Sequence, residues 1–398
     1  MKKPMGRMSS RERMLLAITG QESDHVPCSF MIFSTLERRC RDAFEFVEKE
    51  LALGLDAFVQ VPPRAARTAS DHGDLQGPAV RYDPRVKVRE WREKRAGERY
   101  PILCKAYETP AGELRAEVAK SEDWPHGDHV PFLDDYLVPR SIKPLVQGPG
   151  DLEALKFLLR PTNEEDAEEF RASAREAKKF AEKRGLLLVG GWGVGADLSG
   201  WLCGLSNLVY LTADEPEFVR ALMEVIASWN RTRMELILGA GVDLFIRRGW
   251  YEGTDFWSPT TYRELVLPRL REEARLAHSR GAKFGYINTT GNMQLLGMFA
   301  EAEIDVLIGV DPVQGRGTDM QEMKRRVGGK VALWGGVNGF VTVEMGTRAE
   351  VETAVMKAME ELAPGGGFIL SPVDNVTDDS ERTWENVRAL IEAWKKLT

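Results

Sequence analysis

A (β/α)8 barrel, the TIM-barrel class of α/β fold, is what the sequence predicts, with a β-containing insertion between its second and third strands. Three observations predict it. Eight short apolar runs recur along the 398 residues, each about the length of a buried parallel strand and several almost continuously hydrophobic. Amphipathic helical patterns separate most of them. Between the second and third runs, roughly 120 residues intervene, far more than an ordinary connection in an α/β unit.

The first run is VPCSFMIF (26–33), and DAFVQVP (56–62) is the second. LLLVGGW (186–192), DLFIRR (243–248) and KFGYIN (283–288) follow the long interruption. DVLIGV (305–310), KVALWG (330–335) and GFILSP (367–372) complete the set. Between the fourth and fifth lies SPTTYRELVLPRLREEARLAHSRG, where Ser258 suits an N-cap, Pro259 the first helical position and Gly281 the exit. TRAEVETAVMKAMEELAPGGG ends in a proline and three glycines that permit a left-handed exit. Inside the interruption, the stretch from Ala79 to Lys120 alternates apolar and polar residues around turn signals. It predicts an antiparallel excursion with a hairpin at TPAGEL. The whole chain, 1–398, therefore reads as one barrel domain with 64–160 as an inserted cap over the barrel mouth.

Composition narrows the function. A formal net charge of −7 argues against a nucleic-acid partner, which calls for a basic patch. No apolar run reaches the roughly 20 residues that span a bilayer. The first twenty residues lack a continuous apolar segment and a small-residue cleavage site, so the expected location is the cytoplasm. The four cysteines are scattered, without a CxxC pair, and suit small buried apolar positions better than a disulfide framework. His126, Asp128 and His129 share one short segment, but its prolines mark a turn and the spacing fits no metal pair. GGWGVG is not followed by a dinucleotide-binding βαβ unit with its acidic ribose ligand.

Barrel active sites form at the C-terminal strand ends, and that rule selects candidates directly. The ends carry Trp192, Arg247, Arg248, Trp250, Tyr251, Tyr286, Asn288, Asp311, Trp334, Asn338, Asp374 and Asn375. This aromatic, amide-bearing and acidic set suits a pocket for a flat small molecule with one anionic group. Arg247 and Arg248 are adjacent in a strand, so one is expected to point inward. That one either grips a substrate carboxylate or pairs with a structural acid such as Asp255. The tryptophans form either a stacking wall or part of the core.

Three segments carry a family resemblance. SSRERMLLAITGQESDHVP looks like the opening, and LTADEPEFVRALMEVIASWNRTRMELILGAGVD the central helices, of the uroporphyrinogen decarboxylase superfamily. The last part, from LWGGVN through GTRAEVETAVMKAMEELAPGGGFILSPVDNV to ENVRALIEAW, is the most specific match. The superfamily includes haem-pathway decarboxylases and corrinoid-linked methyltransferases, and the resemblance implies the same barrel. The decarboxylases carry an arginine-rich segment after the first strand. Here Ile32 and Leu36 stand where two of those arginines are expected, and DAFVQVPPR has no counterpart of the key aspartate. The methyltransferase branch uses an HxC pair after the fifth strand and a Cys after the eighth to hold zinc. Asn288, Thr290 and Asp374 stand at or near those positions, an oxygen-donor set poor for tetrahedral zinc, so no zinc is expected.

The resemblance thus implies a methyltransferase or demethylase acting on a small methylated compound, with a corrinoid carried by a partner protein. The alternatives are a carboxy-lyase for a small or tetrapyrrole carboxylic acid, and a non-catalytic binding barrel. Asp374, Asn288, Asp311 and Tyr251 are the candidate catalytic residues. Arg247, Arg248, Trp192, Trp250, Tyr286, Trp334, Asn338 and Asn375 are the candidate substrate contacts.

Overall fold

The computed structural model describes residues 8–63 and 75–398. Two compact units divide them: one takes the described part of 1–66 with 171–191 and 237–398, the other the described part of 67–170 with 192–236.

The first unit is built on strands β1 (Phe58–Val61), β6 (Leu187–Gly193), β7 (Leu244–Arg247), β8 (Lys283–Ile287), β9 (Val306–Val310), β10 (Ala332–Asn338) and β11 (Phe368–Val373), in that order across one sheet. The pairs β1–β6, β7–β8, β8–β9, β9–β10 and β10–β11 are all parallel. Burial explains the near-continuous apolar sequence, because β7, β9, β10 and β11 are buried at every residue. Parallel neighbours put all the C-terminal ends on one rim. That rim decides where chemistry can sit.

The predicted first strand is present only as two isolated parallel bridges, Cys28 to Leu370 and Ile32 to Asn375. Side chains take the bonds a ladder would use. Pro27 has no N–H, the Cys28 amide donates to Asp56 Oδ2, and the Met31 amide donates to Ser371 Oγ. The segment still joins both neighbours: Ser29 N–H donates to Leu370 O, and Asp56 N–H, just before β1, donates to Cys28 O.

The helices follow their caps. Ser9 and Glu12 form a capping box that starts Ser10–Ile18, and Thr347 and Glu350 form another that starts Arg348–Leu362. Ser258 does cap a helix at Pro259, accepting from Thr261 N–H at 3.0 Å. The predicted continuous helix is interrupted, however, by a π turn at Tyr262–Val266 before Leu267–Ser279. Pro268 lacks the N–H that would close an α-helical bond onto Glu264, so the chain widens there.

The second unit holds an antiparallel sheet of β2 (Lys87–Glu93), β3 (Ile102–Thr109), β4 (Gly112–Ala119) and β5 (Ser141–Lys143). Thr109 pairs with Gly112 across the expected hairpin. Leu103, Val118, Trp124, Val130 and Leu137 form a core cluster in this unit. No helix among the described residues is long and apolar enough to cross a membrane.

Candidate functional site

Arg247 ends β7 with its side chain 1% exposed. The turn that follows supplies Glu252, which accepts from both terminal guanidinium nitrogens and is itself fully buried. A second carboxylate, Glu273 on the next long helix, approaches Arg247 Nε at 2.6 Å. Tyr286 on β8 donates its hydroxyl to Glu252 at 2.6 Å, and Tyr262 donates to Tyr286 at 3.3 Å. Burial disfavours the charge on Arg247, but Glu252 and Glu273 outweigh it and hold the guanidinium firmly protonated. Burial, with Glu252 beside it, pushes the Tyr286 hydroxyl well above the usual phenol range, so it remains a donor.

Arg247 therefore has structural acids for partners, and Asp255 is not one of them. Asp255 accepts from Arg316 at 2.7 Å and from Thr290 Oγ1 at 2.6 Å. Arg248 is equally buried, with its guanidinium 4.7 Å from the centre of the Trp250 ring.

The turn after β7 packs directly on the end of β8. A side chain at Gly253 would lie 2.0 Å from Thr290 O, and Thr254 N–H and Oγ1 both donate to Gly291 O. Under this contact sit Asn288 and Asn292, both 0% exposed. Asn288 Nδ2 donates to Gly249 O at 3.2 Å, and Asn292 Nδ2 donates to Asn288 O at 3.4 Å. The Oδ1 atoms of both have no hydrogen-bond donor among the described residues.

Asp311 and Asn338 meet at the ends of β9 and β10. Asn338 Nδ2 donates to Asp311 Oδ2 at 2.7 Å and to Gln314 Oε1 at 2.8 Å. Asp311 Oδ1 also accepts from the amides of Val313 and Gln314, and Asn338 Oδ1 accepts from Val341 N–H. Before Asn338, β10 carries a bulge against β9 between Trp334 and Gly335. Gly335 has φ 145°, and a Cβ there would lie 2.7 Å from the backbone of Val310.

The remaining candidates are dispersed. Trp334 is a core residue whose indole donates to Ser29 O and meets Phe58 edge-on. Asn375 is engaged with Ser34 through its oxygen and its nitrogen. Asp374 is exposed, in left-handed backbone at φ 67°. Tyr251 is half-buried against Phe256, and its carbonyl accepts from the Trp257 indole. Trp192 belongs to the second unit and is half-buried there. Among the described residues, no three His, Cys, Asp or Glu side chains are grouped to hold a metal. Glu252, Glu273, Tyr262, Gln314 and Asn292 were not singled out by sequence. Only Asn292 carried a usable signal, repeating Asn288 four residues on in a polar turn at a strand end.

Three comparisons bear on this arrangement. The sequence model of the family described as Uroporphyrinogen decarboxylase (URO-D) matches residues 127–397. Among solved structures, a methyltransferase from Methanosarcina mazei is similar over 98% of this chain and 99% of its own, with TM-score 0.59 and 18% identity. A B12-independent methionine synthase from Shewanella sp. W3-18-1 is similar over 56% of this chain and 65% of its own, with TM-score 0.42 and 12% identity. No curated protein matches in a sequence comparison.

Proposed function

The chain belongs to the uroporphyrinogen decarboxylase family, and from that premise we propose that it is a methyltransferase or demethylase of a small methylated compound. The observation that carries this reading is the engagement of Arg247 by Glu252 and Glu273. A decarboxylase of polycarboxylates needs guanidinium groups turned to its substrate. Here Arg247, one of the two arginines at this strand end, is already neutralised by protein carboxylates, and Ile32 and Leu36 add no charge. The likeness to a methyltransferase over nearly the whole of both chains supports the same choice of branch.

In this reading the parallel sheet, with segment 26–33 as its eighth member, forms the barrel, and the substrate lies at the strand ends. A corrinoid on a partner protein would supply the methyl acceptor. Zinc does not fit the positions where the branch would hold it. Asn288 already donates to a backbone carbonyl, Thr290 Oγ1 donates to Asp255, and an amide is a poor zinc ligand. No step is therefore assigned to a metal. What this chain contributes is orientation by Asn288 and proton transfer to the departing heteroatom by Asp374, whose carboxyl is exposed just past the last strand. Asp311 and Asn338 fix the neighbouring strand ends, and Tyr251 with Trp250 supplies flat contacts.

Incubating the purified protein with reduced cobalamin and a panel of methyl ethers and methylamines tests this directly. The expected result is methylcobalamin absorbance that depends on the protein and on one donor class. Carbon dioxide release from a small carboxylic acid, with no methyl transfer from any donor, would replace the reading with a carboxy-lyase.

A further inference from the structure

Asn288 and Asn292 together constrain what can bind beside them. Both side chains are fully buried, and each amide nitrogen faces a backbone carbonyl. Rotating either amide by half a turn would set two acceptors against each other, so the network fixes the orientation. Both Oδ1 atoms then point away from those carbonyls, and neither receives a donor from the described residues. A buried acceptor left without a donor costs about 1–3 kcal/mol. Two of them, four residues apart at the end of one strand, make a paired cost at the rim where barrel substrates bind.

We propose that Asn288 and Asn292 form a donor-reading subsite, selecting a substrate that presents hydroxyl or amine hydrogens and rejecting one that presents a carboxylate. A carboxylate would bring further acceptors to two carbonyl oxygens. A hydroxyl or an ammonium satisfies the same oxygens. Sites built to hydrogen-bond a substrate group discriminate strongly against analogues that lack it. The inference rests on the reading of the strand ends as the substrate site and deepens it by naming the substrate's polarity.

The test is thermal denaturation of the full-length protein with matched ring probes, chosen because Trp250 and Tyr251 lie on the adjoining turn. Catechol and benzylamine carry donors, 1,2-difluorobenzene is the donor-less counterpart, and benzoate is the acceptor-only anion. At about tenfold over its dissociation constant, a donor probe is expected to raise the melting temperature by about 1–2 °C. Difluorobenzene and benzoate should leave it unchanged. Asn288→Leu and Asn292→Leu should each abolish the donor shift. Should either fail to fold, Asn292→Ser keeps a hydroxyl that can donate to the Asn288 carbonyl while withdrawing the Oδ1 acceptor, and should weaken the donor shift.

Equal shifts for donor and donor-less probes, or no shift with any probe, would overturn the proposal. So would stabilisation by potassium or magnesium chloride in place of the organic donors, or a crystal structure with catechol in which ordered water alone contacts both Oδ1 atoms. Loss of donor preference while methyl transfer persists removes this inference alone. Donor preference without methyl transfer removes the reading of the reaction alone.

Discussion

Glu252 binds Arg247 through both its oxygens and also receives the Tyr286 hydroxyl, so one substitution tests the whole cluster. Glu252→Gln removes the charge while preserving the shape. Breaking a buried ion pair by neutralising one partner typically costs about 3–5 kcal/mol. The remaining Glu273 should keep the loss near the lower end, about 3 kcal/mol by denaturant titration. Asp374 calls for the opposite experiment. Asn tolerates left-handed backbone as Asp does, so Asp374→Asn isolates the carboxyl from the turn. Loss of a positioned proton-transfer group typically costs about 10²–10⁴ in rate, so activity should fall that far with the melting temperature unchanged. Mild effects in both measurements would make Asp374 a turn residue. Asp24 supplies a pH signature. Burial raises its pKa, but hydrogen bonding and charge from Arg13 outweigh this and lower it from 3.8 to about 2. A carboxyl with a depressed folded pKa stabilises above its unfolded pKa, and that contribution fades as pH falls through 3.8 toward 2. Asp24→Asn should therefore cost about 2 kcal/mol at pH 7 and almost nothing at pH 2.

At the scale of elements, periodicity located the strands because burial on both faces leaves a continuous apolar run, as in β9 and β11. It misread places where side chains replace backbone partners. The 26–33 run has the composition of a strand, yet Asp56 and Ser371 hold two of its amides and confine it to bridges. The helix after Ser258 kept its predicted cap and its end near Gly281, but the effect of Pro268 on the preceding turn was not anticipated. The bulge in β10 was invisible too, since GG in a strand also permits a plain ladder or a turn. Its importance can be measured. Gly335→Ala introduces a Cβ 2.7 Å from Val310 backbone at a φ that L residues rarely adopt. Strain of this kind costs about 1–3 kcal/mol before the contact with Val310 is counted. The variant should lose at least that much stability and separate Asn338 from Asp311, lowering activity beyond the stability loss. An Ala variant as stable as the parent would mean the bulge is not required.

For the molecule as a whole, topology made the rim legible and sequence left its wiring obscure. The strand-end rule reached Arg247, Tyr286, Asn288, Asp311 and Asn338 without any view of the structure. It did not find Glu252 or Glu273, because an acid in a turn or on an amphipathic helix ordinarily faces water. That omission matters for substrate charge. With both acids in place, Arg247 is not available to a substrate carboxylate. The proposed reaction therefore implies that uroporphyrinogen is not the substrate. Uroporphyrinogen presents eight carboxylates. In the segment where the decarboxylases hold them, Leu36 is buried and Ile32 half-buried. The arginines of that segment turn elsewhere: Arg38 donates to Thr377 O, while Arg39 pairs with Asp379 at 2.7 Å and stacks on Trp384. Purified protein given uroporphyrinogen under anaerobic conditions should accordingly form no coproporphyrinogen above the protein-free rate. Ile32→Arg alone should not rescue it, because one added guanidinium leaves the other carboxylates without partners. Coproporphyrinogen accumulating with the unmodified protein would show that other groups hold the carboxylates, and would return the chain to the decarboxylase branch.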